Sequence, residues 1–101
     1  MFNNQLEQSI IDGDIERTRV IVRRIIRREC RDARTAIGVD MTEHAETICK
    51  KIVPNIGSRK LSRLRNAHTF FKSTARHEIR DLAATLTRAK ANQNALKPIT
   101  H

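Results

Sequence analysis

Between Arg17 and Arg34 the chain sets eight arginines within eighteen residues. Each carries a planar, permanently charged fork that matches phosphate or carboxylate geometry. Their spacing is helical. At about 100° per residue, Ile15, Ile21, Val22, Ile25, Ile26, Ala33 and Ala36 gather on one side, and only Val20 breaks the separation. Arg19, Arg23, Arg27 and Arg31 form the clearest line on the other side, closed by Arg34. Four of the i,i+4 pairs, such as Arg23–Arg27, are like-charged, and each costs about 0.2–0.5 kcal/mol in an isolated helix. Only Arg28–Asp32 is an opposite pair at that spacing. A solvated face usually mixes its signs, so this stripe reads as an anion-binding face. The plainer alternative is a soluble basic face, or arginines neutralised by acids from residues 1–16 or 40–46.

A second basic cluster, Ser58-Arg-Lys-Leu-Ser-Arg-Leu-Arg65, follows the turn Asn55-Ile-Gly57. Arg59, Lys60, Arg63 and Arg65 would stand at a helix start. There they oppose the helix dipole, and a bound anion relieves the conflict. Helix, turn and basic helix together outline a helix-turn-helix over residues 40–72. The match is imperfect. With Leu61 and Leu64 as core positions, Lys51 falls where a small residue normally sits, and Asn55 falls at the usual turn glycine. An ordinary corner between two helices accounts for the same pattern.

The other chemistry is thin. Asp40, Glu43 and Glu46 near Lys50 faintly suggest a nuclease cluster, but Asp40 and Glu43 have a helix-capping role that accounts for them. His44, His68, His77 and His101 form no ligand spacing with one another or with the two cysteines. Cys30 and Cys49 make neither a zinc pattern nor a redox pair, and read as small buried thiols in a reducing cytosol. There is no glycine-rich phosphate loop and no nucleophile–base context. The expectation is a non-enzymatic protein without catalytic residues, metal or cofactor.

Charge is unevenly distributed. The net +9 divides into −4 over residues 1–16, +6 over 17–34, −1 over 35–57 and +8 over 58–101. Fourteen arginines against six lysines favour oriented contacts, although a GC-rich genome gives the same bias. Phe2, Phe70 and Phe71 are the only aromatics. A single-strand binder wants more stacking rings, so duplex or backbone binding fits better. Nothing resembles a signal peptide or a membrane span, which points to the cytoplasm. A basic amphipathic helix also suits a membrane surface, but the core needs the apolar face of this one.

These segments must be carried by helices. Residues 3–11 read as a short helix with Leu6, Ile10 and Ile11 inward. Asp12-Gly13-Asp14 is a turn, with either aspartate available as the next N-cap. The arginine helix spans about 15–37, and Gly38 stops it. Asp40-Met-Thr-Glu43 opens a third helix that buries Met41, Ala45, Ile48, Cys49, Ile52 and Val53, and Pro54 ends it. A final long helix starts at Ser58, with His68 half-buried in its apolar series and a break near Ser73-Thr74. The fold expected is all-α: a bundle of three to four helices, with two long amphipathic helices antiparallel around a short one. Residues 1–91 form one domain and 92–101 a polar tail. The function expected is binding to nucleic-acid backbone, DNA or structured RNA, in a regulatory role. The alternative is an interaction module, such as an inhibitor, an adaptor or a subunit of a nucleoprotein assembly. It would dock the arginine face on an acidic protein surface or a partner's nucleic-acid groove. A homodimer through the final helix suits either.

Overall fold

The computed structural model describes residues 5–56 and 66–96, without the side chains of 92–96. Within them the chain forms α1 (Gln5–Ile11), α2 (Ile15–Ala36), α3 (Ala45–Ile52) and α4 (Ala67–Leu96), with 3-10 turns at Thr42–His44 and Val53–Asn55. No strand occurs among the described residues.

Local chemistry sets the first boundaries. Gly13 takes a left-handed φ of 69°, and Asp14 caps α2 by accepting the Arg17 N–H at 3.1 Å. Ser9 faces inward, and its hydroxyl meets that of Thr18 at 2.8 Å. This buried polar contact fixes the rotation of α1 on α2. Leu6 is buried as a result, whereas Ile11 is 74 % exposed rather than packed inward. The same docking leaves Ile15 outside the core at the start of α2, and Ala36 is exposed at its end. Thr18, Glu29 and Cys30 complete the buried face of α2 instead.

Gly38, with φ of 76°, turns the chain at the end of α2. Met41 N–H then bonds Cys30 O at 3.1 Å, drawing the connection back along the helix. Asp40 accepts from both the backbone and the hydroxyl of Thr42. The expected reciprocal capping box is therefore an aspartate turn leading into a 3-10 segment, and Glu43 lies against His44 at 3.5 Å. Met41, Ala45, Ile48, Cys49, Ile52 and Val53 are all buried as expected.

The two long helices run in the same direction, not antiparallel. Residues 21–32 of α2 share a cavity with His68 and Lys72, whereas residues 29–37 share one with Arg76, Ile79 and Arg80. The short α3 is antiparallel to both: Glu46 meets Arg27, and Lys51 meets Glu78. Two successive reversals return α4 to the direction of α2.

The buried row of α4 is Ala67, Phe71, Ala75 and Ile79. His68 is exposed, because Ala67 takes the seam position expected for it. The helix is unbroken at Ser73-Thr74, where the Thr74 hydroxyl bonds Phe70 O at 2.9 Å. Leu82 is half-buried and Leu86 is 39 % exposed, so α4 outruns the body of the bundle. It continues to Leu96, into the segment read as a tail.

Candidate nucleic-acid interface

The arginines of α2 fall into separate environments because some lie beside α3 and others beside α4. On the α3 side, Arg19 Nη1 pairs with Glu16 at 3.1 Å, and its Nη2 donates to Ile56 O at 3.4 Å. Its Nε is buried with no hydrogen-bond partner among the described residues. Arg27 reaches Glu46 Oε1 at 3.0 Å, and Arg23 reaches the same oxygen at 3.8 Å. The hydrogen bond from Arg27 holds the Glu46 carboxyl below the usual range, with Arg23 adding to the effect. The line that stands out in the sequence is thus the most engaged with the protein's own acids and carbonyls. Arg23 and Arg27 nonetheless remain 46 % and 62 % exposed, and two guanidiniums share one carboxylate.

Arg24, Arg31 and Arg34 are exposed and have no salt-bridge partner among the described residues. Arg28 borders the clefts beside both α3 and α4 and lies 4.0 Å from Asp32. Arg59, Lys60, Arg63 and Arg65 lie outside the described residues, as do all of residues 57–65 of the candidate helix-turn-helix.

The structure adds a basic face that the sequence reading passed over. Thr69, Lys72, Ser73, Arg76, His77 and Arg80 line one shallow basin on α4, with no carboxylate in its walls. Lys72, Arg76 and Arg80 recur at i,i+4, about 6 Å apart along the axis. A helical projection of 67–90 carries this signal, but the denser arginines of 17–34 and 58–65 overshadow it. Arg76 Nε also bonds Glu29 Oε1 at 2.6 Å, linking α4 to α2.

The acids that suggested a nuclease cluster have structural partners. Hydrogen bonds from Thr42 lower the pKa of Asp40, and Glu46 is held by Arg27. The acids near Lys50 are thereby engaged separately. Among the described residues no three His, Cys, Asp or Glu side chains gather to hold a metal. Cys30 and Cys49 are free thiols in the core between α2 and α3. Burial, helped by the neighbouring Cys49, pushes Cys30 up to about 11, and burial also raises Cys49. Both stay protonated and unreactive near neutrality. No helix among the described residues is long and apolar enough to cross a membrane. Comparison with protein-family models, with curated proteins and with solved structures finds no match to this chain.

Proposed function

We propose that this protein binds the phosphate backbone of nucleic acid, DNA or structured RNA, as a small non-enzymatic helical protein of a regulatory kind. The observation that carries the reading is the state of its exposed cations. Arg24 and Arg31 on α2 and Arg80 and the half-buried Lys72 on α4 have no salt-bridge partner among the described residues, Arg34 lies only within electrostatic reach of Asp40, and all stand on the outer faces of two packed helices. Arginines held at like-charge spacing gain most from an extended polyanion, which releases condensed counterions when they neutralise it. Arg23 and Arg27 contribute less, because Glu46 already offsets part of their charge. Arg19 contributes least.

The test begins with the full chain purified without a tag at low salt. Lacking Trp and Tyr, the protein absorbs weakly at 280 nm, so copurifying nucleic acid should dominate the spectrum until nuclease and high salt remove it. Titration of labelled mixed-sequence DNA and RNA at about 50 mM salt should then show binding that falls steeply as salt rises. Absence of binding to both rejects the proposal.

The exposed Leu86, on a helix that outruns its core, favours a second reading as an interaction module or homodimer. That reading expects a stoichiometric protein complex that survives nuclease.

A further inference from the structure

The surface between α2 and α4 carries more than a general attraction for polyanions. Arg24 and Arg28 stand on its α2 side and Lys72, Arg76 and Arg80 on its α4 side. The parallel direction of the helices keeps the two rows side by side. Packed helix axes lie about 8–10 Å apart, and these side chains diverge outward from the contact. Asp32 and Glu29 line the groove between the rows. Glu29 is buried beneath Arg76, whereas Asp32 is 56 % exposed.

From this arrangement we infer that the groove straddles duplex DNA, with each basic row on one of the two phosphate backbones that border a major groove. This rests on the proposed backbone binding and names its target. A single strand following the centre line would run its phosphates over Asp32. A duplex places phosphates on both rims and leaves the midline opposite its groove. The B-form major groove is about 12 Å wide, on the scale of the row separation, and it displays cytosine and adenine amino groups that a carboxylate can accept from. A-form RNA has a major groove too narrow and deep for side chains to read. The aromatic residues agree. Phe71 is buried and Phe70 packs edge-on against it at 5.2 Å, so the described residues offer no open stacking platform.

The test is fluorescence anisotropy with the full chain and three labelled probes of equal length and mixed sequence: duplex DNA, single-stranded DNA and duplex RNA. With Arg28 and Arg76 partly offset by Asp32 and Glu29, three to five phosphate contacts give a log–log salt slope of about −2.7 to −4.5 on duplex DNA, or about 40- to 500-fold weaker binding between 50 and 200 mM salt. Duplex DNA should bind about tenfold or more tightly than either other probe at equal salt. The variants R24E/R28E and K72E/R80E change three exposed positions and the half-buried Lys72, and circular dichroism checks that they fold. Each should lower the slope by about 1.8 and weaken binding by about tenfold or more. The same change of net charge in R23E/R27E should weaken it less. Single-stranded DNA or duplex RNA binding as tightly as duplex DNA overturns the inference while leaving backbone binding intact, and so does loss confined to one row. Failure of every probe at about 50 mM salt overturns both.

Discussion

Replacing Arg76 with alanine would strand the carboxylate of Glu29. That carboxylate belongs to a residue only 6 % exposed, and Arg76 Nε approaches it to 2.6 Å. Removing one partner of a fully buried ion pair costs about 3–5 kcal/mol, because the other charge is left desolvated. Arg76 is 57 % exposed, however, so water can follow into its place and the penalty must be discounted. A charge-assisted hydrogen bond contributes about 1.5–3 kcal/mol. The expected loss is therefore about 2 kcal/mol, a large share of the roughly 5–15 kcal/mol typical of a domain. It corresponds to a melting temperature lower by about 8–15 °C. Helix propensity works in the opposite direction, since alanine is the better helix former. Urea denaturation followed at 222 nm measures the loss. R80A, an exposed arginine on the same helix, should change stability by no more than about 0.5 kcal/mol. A double-mutant cycle with E29Q should return a coupling of about 1 kcal/mol or more. If R76A and R80A behave alike, or the cycle shows no coupling, then the bridge between α2 and α4 contributes nothing and the reasoning fails.

Other substitutions probe the caps, the buried hydroxyls and the thiols. D14A removes the acceptor for Arg17 N–H and should cost about 1 kcal/mol in the same urea assay. T18V should cost less than about 1 kcal/mol: Ser9 can still donate to Leu6 O, and Asp14 O keeps the Thr18 backbone N–H, so no donor is stranded. A loss above about 2 kcal/mol would mean that the Ser9–Thr18 contact holds α1 more firmly than this. Alkali should destabilise the fold through Cys30. Folding raises that thiol from 9.0 to about 11, so its contribution is fully present below pH 9 and is lost as the unfolded chain ionises first. The fall should reach about 3 kcal/mol and level off above pH 11. A pH series on C30A should show a shallower slope, with Cys49 retaining its own share; an unchanged slope would assign the fall to other groups.

The helices and their inward faces were legible wherever one periodic pattern dominated. Aliphatics at helical spacing located α2 and α3, and Asp14, Gly38 and Pro54 marked their ends. Met41 through Val53 bury the residues that periodicity selects. Misjudged positions arise where two elements compete for one surface. Ile11 and Ile15 are apolar, but the hydroxyl contact between Ser9 and Thr18 sets how α1 sits and turns both outward. Glu29 reads as one more charge in a basic segment, yet it is buried because Arg76, 47 residues later, reaches over it.

An all-helical chain with an excess of arginine on amphipathic segments follows from residue order alone, because periodicity and charge are local properties of neighbouring residues. Tertiary structure alone decided which cations remain available. A helical projection cannot tell that α3 brings Glu46 to Arg23 and Arg27. Nor can it tell that α4 runs parallel to α2 and lays Lys72, Arg76 and Arg80 beside Arg24 and Arg28. Charge neutralisation acts through space over a few ångströms, and those distances exist only once the helices have packed.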